Sequence, residues 1–262
     1  MTSVENRKQG GFMSEEQDTA ENRPRKVMAI MSHPDDIEFT AAGTIAKWAS
    51  EGQEIIFVLG TSGDKGSDDP SFTSESLMAT REEEQRAAAA ILGVKTVEFM
   101  RMRDAELVAD LETRKNITRI IRQHRPDAVI CQDPTVRFDG NYIQHPDHIA
   151  MGESVLAAIF PSARDRLTFP ELLAEGLEPH KVTEVYLASG SDTVDHFVDI
   201  TNFMEQKIDS LKAHHSQLGD WDFRPMVESW ARDTAALARM KSAPDAFTMT
   251  FAEAFRYIKL WG

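Results

Sequence analysis

The chain has 262 residues, 41% of them hydrophobic, one cysteine and a formal net charge of -14. That length can bury a substantial core. The acidic balance speaks against a nucleic-acid partner, whose phosphates it would repel, and no apolar stretch has the span of a membrane helix. The lone Cys131 permits no intrachain disulfide, so a reducing cytoplasm is expected. It lies in the apolar run DAVIC, where packing is the simpler role.

Residues 1–24 mix both signs of charge and lack the apolar core of a signal peptide. They are expected to be a flexible lead-in, dispensable for catalysis. RKVMAIMS (25–32) reads as a buried strand, and residues 37–52 have helical spacing through Phe39, Ile45, Ala46 and Trp48 before stopping at Gly52. EIIFVLG (54–60) is a second strand, followed by the turn formers TSGDKGSDDPSFTS. ATREEEQRAAAAIL (79–92) is strongly helix-forming and ends at Gly93. KTVEFM, LETRKNITRIIRQH and DAVICQ continue the alternation as strand, helix and strand.

Beyond residue 160 the pattern loosens. VTEVYLAS (182–189) and HFVDI (196–200) read as strands, NFMEQKIDSLKAHH as a helix, and residues 222–260 as mainly helical. Strands alternating with helices predict an α/β fold: a Rossmann-like, doubly wound, mostly parallel sheet flanked by helices, with a smaller irregular C-terminal α/β portion. Without a convincing linker, residues 25–262 are expected to form a single domain.

In such sheets ligands gather at the carboxyl ends of the strands. HPDD, carrying His33, Asp35 and Asp36, follows the first strand; QHPDH, carrying His145 and His148, lies shortly beyond the fourth. With strand order 3-2-1-4 the two clusters would face one another. Two imidazoles and one carboxylate with a position left for water make an open metal site. Either cluster alone would be explained by helix-capping aspartates and surface histidines; two at adjacent strand ends favour a metal. The same donors describe non-haem iron enzymes. An α/β scaffold and hydrolytic chemistry favour Zn2+ over Fe2+.

HPDDIE after the first strand, TREEEQRAAAAILGV opening a later helix and HPDH after the fourth strand resemble the LmbE-like, or PIG-L, deacetylase family. VDI, KIDSLKAHHSQ and AEAFR extend the resemblance from about residue 25 to about 257. It implies a zinc-dependent hydrolase that removes an N-acetyl group from an amino sugar or its conjugate. It places the metal ligands on His33, Asp36 and His148, the general base on Asp35, and on His145 the group that stabilises the intermediate or protonates the leaving amine. Arg81 and Glu84 fall where the family lines or braces its substrate cleft, and His214 matches a late histidine. The family habit also implies a homo-oligomer, trimer or hexamer.

Asp64, in the GTSGDKG loop, is a candidate substrate contact, with a plain strand-exit turn as the alternative. Glu38 reads as a brace for a ligand or as a first-turn acid. Trp221, Phe223 and Trp230 read as sugar-stacking faces or, more commonly, as packing. Two rival functions stand beside deacetylation: an amidase acting on another amide such as a thiol conjugate, and a metal-dependent binding protein without catalysis. The intact set of Asp35, His145 and three ligands argues against the second.

Overall fold

The computed structural model describes residues 24–189 and 193–261. The N-terminal lead-in lies outside the described residues, Pro24 excepted. β1 (Lys26–Met31), β2 (Glu54–Thr61), β3 (Thr96–Met102), β4 (Ala128–Gln132), β7 (Glu184–Ala188), β8 (His196–Asp199) and β9 (Ala252–Lys259) form one sheet of order β3-β2-β1-β4-β7-β9-β8. The first five in that order run parallel; β9 is antiparallel to both β7 and β8. β5 (Phe138–Asp139) and β6 (Tyr142–Ile143) form a separate hairpin.

Period-two alternation along β1 feeds two layers. Val27, Ala29 and Met31 face a core closed by α1 (Asp36–Ser50), α2 (Ser74–Ile91), α6 (Met204–Lys212) and α8 (Arg224–Met240). Met28 and Ile30 face the opposite core under α3 (Leu111–His124) and α4 (Pro146–Ala157). Two short helices, α5 (Glu171–Ala174) and α7 (His215–Leu218), complete the α-helices among the described residues. The chain leaves β1 toward β2 on one side and later returns to β4 on the other. That switch point opens a crevice at the carboxyl ends of β1 and β4.

Two expectations shift. The helix expected over 79–92 begins at Ser74, because Thr73 accepts from Ser76 N at 3.2 Å while Ser76 Oγ accepts from Thr73 N at 2.9 Å. This reciprocal cap lies in a stretch whose composition resembles a loop. The tail expected to be mainly helical is helical through α8 but ends in β9, an internal strand of the sheet. AEAFRYIK opens with good helix formers, yet pairing on both edges and the complete burial of Phe255 override that preference.

β9 also ties the sheet to the helix that follows the HPDD cluster. The buried Glu253 carboxylate accepts from Gly43 N at 3.0 Å, Thr44 N at 2.7 Å and Lys207 Nζ at 2.7 Å. Lys207 Nζ also donates to Phe39 O at 2.7 Å. The pair therefore clamps α1 between α6 and β9, one to two turns beyond Asp36. Lys207→Met should destabilise the protein by about 3–5 kcal/mol, because it leaves the Glu253 charge buried without its ion-pair partner. Urea unfolding at matched metal content checks this; a change near zero would mean the pair is not what holds α1.

Candidate metal centre

β1 ends at Met31, and the chain turns through Ser32, His33, Pro34 and Asp35 into α1, whose first residue is Asp36. Across the switch point β4 ends at Gln132, and Pro146 begins α4 with His145 as its cap. Proline suits that position because its missing N–H would have no helical partner. Gln132 stitches the two ends together: its Oε1 accepts from Ser32 Oγ at 2.8 Å and its Nε2 donates to Asp36 Oδ2 at 2.8 Å.

His33, Asp36 and His148 meet here, with one donor atom from each inside a 4.8 Å group. His33 Nδ1 lies 3.2 Å from His148 Nε2, and His148 Nε2 lies 3.1 Å from Asp36 Oδ1. The outer nitrogen of each ring is engaged elsewhere. His148 Nδ1 sits 3.0 Å from Gln144 Oε1, an acceptor only. His33 Nε2 sits 3.1 Å from Asp104 Oδ1 and 3.3 Å from Asp147 Oδ2. Each ring must carry its proton on that outer nitrogen to satisfy those oxygens. Both remaining lone pairs then aim at one point, beside a carboxylate oxygen. Lone pairs so placed repel unless a cation lies between them, so the donor set fits a metal ion.

Residues 28–159, which contain every member of this cluster, match the family described as PIG-L, GlcNAc-PI de-N-acetylase. The chain belongs to the PIG-L family. It is 34% identical over 82% of its length to the diacetylchitobiose deacetylase of Thermococcus kodakarensis, of which 78% is covered. It is 30% identical over 74% of its length to a probable N-acetyl-alpha-D-glucosaminyl L-malate deacetylase of Bacillus anthracis, of which 81% is covered. The solved N,N'-diacetylchitobiose deacetylase of Pyrococcus horikoshii superposes with a TM-score of 0.80 at 30% identity, covering 90% of this chain and 84% of that one.

Within this PIG-L chain the other expected site residues fall around the trio. His145 stacks edge-on to His33 with ring centroids 4.7 Å apart. Its Nδ1 accepts from Asp147 N at 3.2 Å, which leaves the proton on Nε2, 3.8 Å from Asp104 Oδ1. Asp35 precedes α1 with φ of 90°, and its Oδ2 accepts from Arg81 Nη2 at 3.2 Å. Arg81, expected at the substrate, is buried: it also donates to Pro34 O at 2.8 Å and Gly63 O at 3.2 Å. Gly63 has φ of +65°, and a Cβ there would collide with the guanidinium, so the GTSGDKG loop is moulded on Arg81. Asp64, the other candidate substrate contact, accepts from Asp104 N at 2.9 Å. Phe223 is buried, whereas Trp221 and Trp230 are half-exposed.

Asp104 and Asp147 were not singled out from the sequence, and both shape the centre. Asp147, fully buried, accepts from Ala105 N at 2.7 Å and Leu107 N at 3.2 Å while facing His33. It pins the loop after β3 so that Asp104 also reaches His33. An acid at the carboxyl end of a third strand was the available signal for Asp104. The middle aspartate of HPDH was the signal for Asp147.

Charge in the centre follows from this crowding. Burial pushes the Asp35 carboxyl up to about 6 against the opposing pull of Arg81. Burial would also raise Asp36, but the neighbouring His148 and His33 hold it well below the usual carboxylate range. Burial would depress His33, yet hydrogen bonds to Asp104, Asp147 and Asp36 push it up to about 12. Without a metal, a proton on His33 supplies the missing positive charge. A metal needs the Nδ1 lone pair, so its binding must expel that proton. Titrating metal-free protein with Zn2+ at pH 7 should release about one proton, and affinity should strengthen as pH rises toward the His33 value. Calorimetry in buffers of different ionisation enthalpy measures the release; none would contradict this account of His33.

Proposed function

We propose that this PIG-L enzyme is a zinc-dependent hydrolase that removes the N-acetyl group from an amino sugar or its conjugate. The observation that carries the reading is the convergence of His33 Nδ1, Asp36 and His148 Nε2 beside Asp35, whose carboxyl is not a member of that trio. The names of its relatives, deacetylases of diacetylchitobiose and of a glucosaminyl malate, supply the substrate class. Two imidazoles and one carboxylate with a remaining open position suit zinc in hydrolysis.

His33, Asp36 and His148 would hold the ion. Bound there, zinc polarises a carbonyl and lowers the pKa of a water to about 7. Asp35 accepts a proton from the attacking water as its oxygen bonds to the acetyl carbon. Arg81 orients that carboxyl, which stays partly open to solvent. His145 directs Nε2–H toward the cleft, where it donates to the carbonyl oxygen as negative charge grows there. Asp104 Oδ1, 3.8 Å from the same Nε2, favours the proton on that nitrogen. When the carbon–nitrogen bond breaks, we assign to Asp35 the delivery of that proton to the departing nitrogen, leaving a free sugar amine and acetate.

Arg81 belongs to this reading as a brace for Asp35 rather than a contact to the sugar, because it is buried and both of its terminal nitrogens donate to the protein. The exposed Phe138 and Ile143 of the β5–β6 hairpin support self-association. The buried, thiol-form Cys131 is compatible with a cytoplasmic setting. Among the described residues no helix is long and apolar enough to cross a membrane.

The adjacent aspartates should fail differently. Asp35→Asn keeps the shape but cannot take the proton, so it should retain zinc and lose about 10²–10⁴-fold in turnover. Asp36→Ala removes a ligand and should lose zinc and activity together. Elemental analysis beside amine release from diacetylchitobiose separates the two. If Asp35→Asn emptied the centre while Asp36→Ala stayed metallated, the roles would be reversed.

A further inference from the structure

Asp35 is one of seven non-glycine residues with positive φ among the described residues, and it stands beside the metal trio. An aspartate at φ of 90° persists only where its surroundings over-determine it. Two residues of α2, one helical turn apart on its buried face, do so. Arg81 grips the Asp35 carboxylate and the preceding carbonyl. Gln85 holds the backbone: its Oε1 accepts from Asp35 N at 3.1 Å.

Gln85 is completely buried, and its amide can face only one way. Nε2 donates to Glu38 Oε1 at 2.8 Å. Reversing the amide would set its donors against the Asp35 N–H and its oxygen against a carboxylate, two repulsive contacts. Glu38 is itself fully buried, with its second oxygen 3.3 Å from Nε2 of the buried His214. One residue before Gln85, Glu84 accepts from Ser216 N and Ser216 Oγ, both at 2.6 Å. Glu38 thus holds the Gln85 amide directly, and the Glu84–Ser216 pair holds the same turn of α2.

We infer that Gln85 is a positioning residue for the reaction: it fixes the Asp35 backbone in its left-handed conformation and so sets where that carboxylate meets the attacking water. Gln85 touches neither the metal trio nor the cleft, and it acts through Asp35. The inference rests on the reading of Asp35 as the base. Releasing the Asp35 N–H lets φ relax to the ordinary negative region and swings the carboxylate out of line. The three metal donors keep their own hydrogen bonds to Gln132, Gln144, Asp104 and Asp147.

Gln85→Met keeps the length of the side chain and removes both amide functions. It is compared with the parent enzyme in two backgrounds, with Asp35 intact and with Asp35→Asn. Zinc content, melting temperature, kcat and KM are read for all four proteins. With Asp35 intact, kcat should fall at least about tenfold, as expected for loss of one buried hydrogen bond in the transition state. KM should stay within about twofold, and zinc content should not change. In the Asp35→Asn background the same change should cost less than about twofold, because coupled residues do not add. Equal fractional losses in both backgrounds, or a loss that follows zinc content, would overturn the inference. Full turnover by Asp35→Asn alone would overturn the base assignment and this inference with it. If Gln85→Met melts too low to assay, Gln85→Asn, one methylene too short to reach both partners, carries the same expectations.

Discussion

Two imidazoles that give their outer N–H groups to the protein have one lone pair each left, and here both lone pairs aim at the same point. That geometry is unfavourable without positive charge between the rings. Gln144 and the Asp104–Asp147 pair create the condition by taking the outer protons of His148 and His33. Gln132 and His33 N complete it by occupying Asp36 Oδ2, which leaves Oδ1 for the centre. The neighbouring oxygens and donors thus decide which atoms remain for an ion, and the candidate donor set is shaped largely by residues outside it.

The sheet makes this assembly possible. A parallel order that reverses between β1 and β4 brings two short segments, more than a hundred residues apart in sequence, to one crevice. The loop after β3 reaches the same crevice because Asp147 ties it down through Ala105 and Leu107. Asp35 and Asp36 stand at the entry to α1, the one as its cap and the other as its first residue, and the helix is fixed from below by Lys207 and Glu253 and from the side by α2. Asp35 is thereby held in a backbone conformation it would not choose alone.

Much of this was legible in the chain. The apolar runs of β1, β2 and β4 announced buried parallel strands, and the histidine-proline-aspartate clusters after β1 and β4 marked the crevice. The start of α2 was hidden because a reciprocal Thr73–Ser76 cap looks like loop composition. β9 was hidden because Ala, Glu and Ala favour helix locally, and only pairing with β7 and β8 makes them a strand. Asp104 was hidden for a different reason: its role exists only once Asp147 has folded the loop against His33. The inward commitments of Arg81 and Asp64 likewise depend on contacts across elements, which spacing along a chain does not encode.

The most direct test is anomalous diffraction from crystals of the zinc-loaded protein. The account predicts one zinc peak within bonding distance of His33 Nδ1, Asp36 and His148 Nε2, with Asp35 and His145 beside it and unbonded to it. A peak bound instead by His145 with Asp104 or Asp147, the alternative cluster that also includes His33, would contradict the assignment of the centre and of the residues that act around it.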